Sequence, residues 1–194
     1  IMGTWNYNRE NRVLADYSQL SPSLIQALVA TEDVRFYDHS GIDFFALGRA
    51  IVKRGLFRQK SAGGGSTITQ QLAKQLYSET AHSVMERLFQ KPIEWVIAVQ
   101  LERNYTKDEI IAMYLNYFDF LHNAVGIKTA SNTYFGKEPK DLTVNEAATL
   151  IGLCKNPSYY NPVRHHDRSQ ERRNVVLGQM VKAGYLTEIG RASC

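Results

Sequence analysis

Apolar residues recur at helical spacing along most of the chain, and this periodicity is the feature that most constrains the fold. In LSPSLIQALVATEDVRF, Leu24 and Leu28 fall on one helical stripe. Ser21 has the residue type of an N-cap, and Pro22 suits the first helical position. No run of strand length alternates convincingly between apolar and polar residues. The pattern therefore predicts a mainly α-helical fold.

Two further helix starts carry a capping box, in which a threonine is followed three residues later by a glutamate. These pairs are Thr106 with Glu109 and Thr143 with Glu146. A third segment, PIEWVIAVQLERNY, is apolar nearly all round, so we predict a buried central helix that begins at Pro92. The length of the chain fits one domain, or one large domain with a small lobe.

The charge balance is mildly basic, because 23 lysines and arginines against 19 aspartates and glutamates give a net charge of +4. Such an excess suits anionic lipid headgroups, phosphates or nucleic acid without choosing among them. A non-catalytic basic module is one reading, but no helix-turn-helix or RNA-binding signature accompanies the charge, so nucleic acid is not an expected partner. The histidines show no metal-ligand spacing, so no metal site is predicted, and Cys154 lies in a small-apolar helical run where a buried, inert thiol is expected.

Two glutamates lie on stripes that otherwise face a core. Continuing the stripe of Leu24 and Leu28 by one turn reaches Glu32, and Glu94 stands one turn before Ala98. A carboxylate partly removed from water can serve as a general acid or base near neutral pH, and paired carboxylates are typical of glycosyl transfer. Two alternatives stay open here. Glu32 would mark a helix end at the surface, and Glu94 would stabilise the first turn of its helix.

The stretch SAGGGSTITQQLAK joins a glycine-rich turn to a helix that begins at Ser66 or Thr67. From there Thr67, Gln71 and Lys74 stand at i, i+4 and i+7 and form one polar face with a cation at its end. A hydroxyl, an amide and an ammonium behind a glycine-rich turn suit an oxygen-rich anion. A solvated helix face is the alternative, since polar faces are usually solvated.

Five motifs occur in order along the chain. They are EDVRFYDHSG from Glu32, GGSTITQQLAK from Gly64, QKPIEW around Glu94, IIAMYLN from Ile110 and TYFGK from Thr133. Together they resemble the motifs of the peptidoglycan glycosyltransferases, glycosyltransferase family 51. This family includes the glycosyltransferase module of bifunctional class A penicillin-binding proteins and the monofunctional transglycosylases. The resemblance spans about residues 15–185.

The resemblance implies a mainly α-helical, lysozyme-like fold with a small jaw-like lobe at the membrane. It implies a single domain over residues 1–194, cut from a longer membrane-anchored protein at the extracytoplasmic (periplasmic) face of the bacterial cytoplasmic membrane. The implied reaction polymerises lipid II. The growing glycan chain on undecaprenyl pyrophosphate is the donor, and the 4-hydroxyl of the acceptor lipid II attacks it with inversion. A fused transpeptidase domain and other cell-wall synthesis proteins are the implied partners.

Site residues are carried over by their positions in the motifs. Glu32 is then the general base, and Glu94 is the second glutamate, which orients donor cations or a divalent metal. Lys74 neutralises the pyrophosphate leaving group, and His39 braces the loop after Glu32 rather than transferring a proton. The substrate-binding candidates are Asp33, Phe36, His39, Ser66, Thr67, Gln70, Gln71, Lys74, Arg87, Lys91, Tyr114 and Asn116. No cofactor is required, and a divalent cation (Mg or Mn) is an option for assisting the pyrophosphate.

The chain departs from the family pattern at two positions. The third motif usually begins Arg-Lys and reads Gln90-Lys91 here, so the arginine for the donor phosphate is expected from Arg87, one turn earlier. The asparagine that often follows the lysine of the second motif is Gln75. Neither change touches the two glutamates, so activity is expected to survive. An Arg87→Ala variant that leaves donor use unaltered would remove Arg87 from the site.

The segment GIDFFALGRAIVKRGLFRQKSAGG interleaves apolar residues with arginine and lysine. Such a basic amphipathic segment suits the interface of an anionic bilayer, while a helix packed on the body with a solvated basic face is the alternative. No apolar run approaches the roughly 18–20 residues that a membrane helix needs. The runner-up function is a lytic transglycosylase or muramidase, which would share the fold and a catalytic glutamate but has no pyrophosphate to bind.

Overall fold

The computed structural model describes residues 13–55, 65–77 and 84–192 of the chain. Across these residues it contains nine α-helices, and its only extended pairing is one antiparallel bridge between Asp119 and Val125. The helices are α1 (Pro22–Glu32), α2 (Phe44–Gly55), α3 (Ile68–Tyr77), α4 (Val84–Asn104), α5 (Lys107–Tyr117), α6 (Ile127–Phe135), α7 (Val144–Leu153), α8 (His166–Lys182) and α9 (Glu188–Ala192). The predicted mainly α-helical fold is confirmed.

The predicted start signals of α1 and α5 are confirmed as hydrogen-bonded caps. The Ser21 hydroxyl accepts the backbone N–H of Leu24 at 3.2 Å. At α5, Thr106 Oγ1 accepts the Glu109 N–H at 3.3 Å, and the Glu109 carboxylate accepts the Thr106 N–H at 2.7 Å. These bonds satisfy backbone donors that have no partner inside the helix, so short sequence signals fix where both helices begin.

The capping box at α7 also joins that helix to the segment before it. Glu146 accepts the N–H of Thr143 at 2.8 Å and the ammonium of Lys137 at 2.8 and 3.0 Å. Partial burial alone would raise the pKa of Glu146, but the hydrogen bonds from Lys137 and Thr143 outweigh it and hold that pKa below its usual value. Lys137 ends the TYFGK motif, so this motif fixes the start of α7.

The core forms where α1, α7 and α8 pack against one another and where α3 packs against α4 and α5. The apolar stripe predicted for α1 is buried, and Ile68 and Leu72 are buried on α3. Burial of such side chains is the main favourable contribution to folding. The largest fully buried side chains are Tyr114, Phe36, Phe120, Leu24, Leu28, Ile68, Leu72, Ile110, Ile111, Leu115, Ile127 and Leu150.

The predicted helix start at Pro92 is wrong. α4 begins at Val84, so Pro92 lies inside the helix and Glu94 is well beyond its first turn. The residues before Pro92 include methionine, glutamate, arginine, leucine, glutamine and lysine, which all favour helix. Their summed preference continues the helix through the proline, although proline interrupts the backbone hydrogen bonds there. The reading of Glu94 as a first-turn residue is therefore excluded.

The prediction that this helix is buried all round is also wrong. Ile93 and Val96 are mostly exposed, so the face of α4 that carries them does not pack against the described part of the protein. On its packed side, α4 buries Glu94, Ala98 and Leu101. The stripe predicted from Glu94 and Ala98 is thus correct, and it places a carboxylate against the body of the molecule.

α2 presents the exposed apolar residues of the predicted amphipathic segment. Phe44 and Phe45 are 69% and 75% exposed, and the Arg35 guanidinium lies 4.6 Å from the centre of the Phe45 ring. The remainder of the segment, residues 56–64, lies outside the described residues, and the expected jaw-like lobe stays a prediction. Within the described ranges, none of the helices combines the length and the apolar character needed to span a membrane.

Candidate active site

A cleft of about 890 Å³ opens where the end of α1, the start of α3 and the end of α7 meet α4 and α8. Nine of the fourteen predicted site residues line it. Cations outnumber carboxylates in the lining, which favours an anionic ligand. The charged lining residues are Glu32, Asp33, Arg35, Asp43, Arg49, Lys74, Lys91, Glu94, Lys155, Arg172 and Lys182.

Glu32, the last residue of α1, lies at this cleft and is partly buried, as its place on the stripe predicts. Gln71 Nε2 donates a hydrogen bond to Glu32 Oε2 at 2.9 Å. The Tyr114 hydroxyl in turn donates to Gln71 Oε1 at 3.2 Å. Because Gln71 donates to it, the Glu32 carboxylate is held as a hydrogen-bond acceptor, which is the state that a general base needs.

Asp33 is buried and joins the loop after α1 to the start of α3. Its Oδ2 accepts the backbone N–H of Ile68 at 3.1 Å and the Nε2–H of His39 at 2.9 Å. The Gly41 N–H donates to His39 Nδ1 at 3.2 Å, so Nδ1 carries no proton and Nε2 is the donor to Asp33. These contacts brace the loop, and they give Asp33 and His39 partners within the protein.

Thr67 caps α3 with its hydroxyl. Thr67 Oγ1 donates to the Gly41 carbonyl at 2.7 Å and accepts the Gln70 N–H at 3.1 Å, while Gln70 Oε1 accepts the Thr67 N–H at 3.3 Å. Thr67 and Gln70 are both buried and form a capping box. All three residues of the predicted polar face line the cleft, but the Thr67 hydroxyl is already bound within the fold, which leaves Gln71 and Lys74 to contact a ligand.

Glu94 is buried on α4, and its Oε2 accepts the Lys91 ammonium at 2.7 Å. Lys91 also donates to Ser66 Oγ at 3.1 Å and so ties α4 to the turn before α3. Within the described ranges, no group of three or more His, Cys, Asp or Glu could hold a metal ion. One carboxylate paired with an ammonium suits an anionic oxygen better than it suits a dedicated divalent cation, which takes several oxygen ligands.

Three predicted substrate-binding residues lie in the core instead. Phe36 is fully buried, and Lys107 Nζ lies 4.2 Å from the centre of its ring. Asn116 forms two hydrogen bonds with the backbone of Ala15, at 2.9 and 3.0 Å. Tyr114 is also fully buried and reaches the cleft only through the hydrogen bond described above. Phe36 is fully buried and the Asn116 amide is already bound to the Ala15 backbone, so both side chains support the fold.

Arg87 lies on α4, but its side chain is outside the described residues. Lys91 follows it by four positions, so helical geometry places the two residues on the same side of α4. Lys91 lines the cleft. The contact of Arg87 with a donor phosphate stays a prediction.

Sequence reasoning missed one wall of the cleft. Arg172, Val175, Gln179 and Lys182 line it from α8, and their spacing of i, i+3, i+7 and i+10 marks a single helical face. That stripe is visible in the sequence, but nothing local shows that α8 packs beside α1. Lys155, just after α7, adds a third cation to this wall.

Cys154 lies at the same end of the cleft as Glu32. Burial raises the pKa of its thiol, and the nearby Glu32 carboxylate raises it further. The Cys154 Sγ contacts the Leu150 carbonyl at 3.7 Å. A thiol that stays protonated at neutral pH is a poor nucleophile, which agrees with the interpretation of Cys154 as inert.

Comparisons with known proteins identify the family. A family model described as Transglycosylase matches residues 1–181. The chain is 43% identical over 178 residues to penicillin-binding protein 1F of Bacillus subtilis (strain 168), covering 92% of this chain and 24% of that protein. It is 39% identical over 182 residues to penicillin-binding protein 1A of Escherichia coli (strain K12), covering 94% and 21%. The chain therefore spans less than a quarter of the length of these relatives.

The solved structures agree on the fold. The 2.6 Å crystal structure of penicillin-binding protein 1A from Haemophilus influenzae matches with a TM-score of 0.54 and 23% identity, over 95% of this chain and 17% of that chain. At 23% identity, this structural similarity is evidence for the fold alone. The family match covers nearly all the residues that form the cleft. The chain therefore belongs to the transglycosylase family and corresponds to the transglycosylase domain of class A penicillin-binding proteins.

Proposed function

We propose that this chain is a peptidoglycan glycosyltransferase that polymerises lipid II into glycan strands. The observation that carries the proposal is the Glu32 carboxylate, held as a hydrogen-bond acceptor in a cleft whose charged lining is mostly cationic. An inverting transfer from a pyrophosphate-linked sugar needs both a base for the attacking hydroxyl and positive charge for the leaving group. Membership of the transglycosylase family supports the same reaction.

In the proposed reaction, Glu32 takes the proton of the acceptor 4-hydroxyl as that oxygen attacks the anomeric carbon of the growing chain. The bond from this carbon to the pyrophosphate oxygen breaks, and undecaprenyl pyrophosphate leaves with the electron pair. Lys74 and Lys91 line the same cleft and would neutralise the charge that develops on the leaving oxygens. Glu94 contacts the Lys91 ammonium at 2.7 Å, so its proposed role is to orient a donor-side cation.

Lysines rather than a resident metal balance the pyrophosphate charge in this proposal. Glu94 supplies one carboxylate and already contacts Lys91, so the described residues do not fit a divalent-cation site by themselves. A divalent cation, Mg or Mn, would enter only as a counterion of the substrate. Polymerisation that persists in EDTA would support this view, whereas activity abolished by EDTA and restored by Mg or Mn would contradict it.

Polymerisation of labelled lipid II in detergent, by the parent chain and its Glu32→Gln variant, tests the proposal. Glycan ladders are expected from the parent and none from the variant, because glutamine keeps the size of the side chain but cannot accept the proton. Glu138→Gln is the matched control, since Glu138 pairs with Lys128 and does not line the cleft. Equal ladders from the parent and Glu32→Gln would exclude Glu32 as the base.

The runner-up reading, a lytic transglycosylase or muramidase, is not favoured. A cleaving enzyme has no pyrophosphate leaving group, and cations such as Lys74 and Arg172 in the cleft lining would then have no anion to neutralise. Release of glycan fragments from purified sacculi by the parent chain, without polymerisation of lipid II, would reverse this preference.

We also propose that α2 rests on the extracytoplasmic surface of the bacterial membrane. Phe44 and Phe45 expose their rings at the start of this helix, while Ala46 and Arg49 of the same helix line the cleft. An apolar surface next to the cleft suits substrates that carry polyprenyl chains. Co-flotation with phosphatidylglycerol vesicles is expected to weaken on replacing both phenylalanines by serine. The control is Val163→Ser, an equally exposed apolar position elsewhere.

Binding that is unchanged when both phenylalanines are replaced would exclude α2 as the membrane contact. The vesicles should be prepared at two salt concentrations, because contacts made only by lysine and arginine weaken as salt rises. Apolar contacts made by the phenylalanine rings persist at high salt, so the variant should differ most from the parent there.

Finally, we propose that the chain is part of a longer, membrane-anchored protein with a fused transpeptidase domain. It spans less than a quarter of two relatives that are named penicillin-binding proteins. Other cell-wall synthesis proteins are the proposed partners of the whole protein. Labelling with fluorescent penicillin is expected for the full-length protein and not for residues 1–194 alone. Labelling of this chain would contradict the proposal that a separate domain carries the transpeptidase activity.

A further inference from the structure

We propose that Gln71 and Tyr114 are positioning residues that hold the Glu32 carboxylate in the orientation needed to accept the proton of the acceptor hydroxyl. The inference rests on the proposed function, in which Glu32 is the general base. It also changes the role expected for Gln71 and Tyr114 from substrate contacts to supports of the base. Its basis is a chain of two hydrogen bonds that links α5, α3 and α1.

The two hydrogen bonds fix the orientation of the Gln71 amide. Tyr114 donates to Gln71 Oε1 at 3.2 Å, and Gln71 Nε2 donates to Glu32 Oε2 at 2.9 Å. The opposite orientation would set Gln71 Oε1 against a carboxylate oxygen, so that two acceptors would face each other without a proton between them. The carboxylate therefore selects one amide orientation, and the amide in turn restricts rotation of the carboxylate.

Tyr114 is the rigid end of this chain. Its side chain is fully buried on α5, with the Phe118 ring centre 6.0 Å from its own. Burial, together with Cys154 and Glu32 nearby, raises the pKa of Tyr114 well above its usual value, so the hydroxyl keeps its proton and remains a donor. α3 and α5 pack directly on each other, so the support comes from the helical core.

Glu32 needs a support of this kind because it lies at the end of its helix. Glu32 is the last residue of α1, and the final turn of a helix is its least ordered part. A general base works only when its oxygen lies within hydrogen-bond reach of the proton it removes. The bond from Gln71 ties a residue at a helix end to α3, whose Leu72 and Ile68 are fully buried.

Two substitutions test the proposal in the 194-residue chain. Gln71→Met keeps the side-chain length and removes both hydrogen bonds, whereas Tyr114→Phe removes only the hydroxyl. The value of kcat for lipid II polymerisation is expected to fall about tenfold to hundredfold for Gln71→Met and less for Tyr114→Phe, with KM nearly unchanged. Because Tyr114 acts only through Gln71, the double variant should be no slower than Gln71→Met alone.

Matched controls lie on the same two helices. Gln75→Met on α3 and Tyr117→Phe on α5 make the same chemical changes at residues that do not line the cleft, and both should keep the parental kcat. A raised KM with an unchanged kcat for Gln71→Met would show a direct substrate contact and overturn the proposal. Multiplying losses in the double variant would overturn it as well, because Tyr114 would then act independently of Gln71.

A crystal structure of the Gln71→Met variant gives a readout that does not depend on activity. The Glu32 carboxylate is expected to leave its parental position once its donor is removed. A carboxylate that stays in place would refute positioning by Gln71, whatever the activity of the variant. Polymerisation that survives Glu32→Gln would instead refute the proposed function, so the two failures are told apart.

Discussion

Removing the Asp33 side chain is expected to destabilise the fold and to release the start of α3 from the loop after α1. Asp33 Oδ2 accepts the Ile68 N–H at 3.1 Å and the His39 Nε2–H at 2.9 Å. Asp33→Ala removes both bonds and leaves a donor of a fully buried residue without an acceptor. Hydrogen bonds to charged groups contribute about 1.5–3 kcal/mol each, so loss of both should lower the free energy of unfolding by about 3–6 kcal/mol.

Asp33→Asn is the finer perturbation, because it keeps the shape of the side chain. Both hydrogen bonds go to Oδ2, so an amide oxygen in that place can still accept the Ile68 N–H and the His39 Nε2–H, but without the negative charge. Hydrogen bonds to neutral groups contribute less than hydrogen bonds to charged groups, so the expected loss is about 1–3 kcal/mol, between the parent and Asp33→Ala.

Urea unfolding followed by circular dichroism measures both losses against the parent. Asp38→Ala is the control, since Asp38 is mostly exposed and lies 3.8 Å from Arg35. An exposed ion pair contributes little, and this variant should stay within about 0.5 kcal/mol of the parent. A loss below about 1 kcal/mol for Asp33→Ala would refute the reasoning, because the buried carboxylate would then not join the two segments.

Urea unfolding, melting temperatures and one chemical probe check four further predictions. Gly126 has a φ of +84°, and a Cβ there would lie 2.8 Å from the Asn116 carbonyl oxygen, so Gly126→Ala should lose about 2–4 kcal/mol; a loss below about 1 kcal/mol would contradict this. A Cβ at Gly48 of α2 would have no atom of the described residues within 4 Å, so Gly48→Ala should gain about 0.5–1 kcal/mol, and any loss would count against that prediction. Because the pKa of Glu146 is lowered in the folded state, its carboxylate contributes to stability above the ordinary glutamate pKa of about 4.3, and this contribution is lost as pH falls through the lower folded value. The melting temperatures of the parent and Glu146→Gln should therefore converge in acid, and a constant difference between them would refute the prediction. Iodoacetamide should label Cys154 more slowly in the native chain than in urea at neutral pH, as judged by mass spectrometry of its peptide, and equal rates would show a reactive thiol.

The local features of the fold could be predicted from the sequence. The caps at Ser21, Thr106 and Thr143 depend on side chains and N–H groups three residues apart, so the pattern of residue types contains the interaction. The stripe that leads to Glu32 follows in the same way from helical geometry. Pro92 shows the limit of such signals, because a residue type that favours a helix start is also tolerated inside a helix whose earlier residues are strong helix formers.

Features that depend on distant parts of the chain could not be predicted. Asn116 binds the backbone of Ala15 across 101 positions, and no local pattern contains that pairing. The face of α8 that includes Arg172 and Lys182 is regular in the sequence, yet it becomes a wall of the cleft only because α8 packs beside α1. Periodicity identifies which residues share a helical face, but it does not show which part of the protein packs against that face.

The motif residues divide physically into those that line the cleft with a charged group and those that hold the first set in place. Lys74 belongs to the first set, whereas the Thr67 hydroxyl and the buried Asn116 belong to the second. A residue type in a motif can be required by a buried hydrogen bond as strictly as by a substrate contact. Gln71 stands at the boundary, since it lines the cleft and also donates to Glu32. A change in kcat without a change in KM on replacing Gln71 would place it in the supporting set, because substrate contacts made equally in ground and transition states alter KM first.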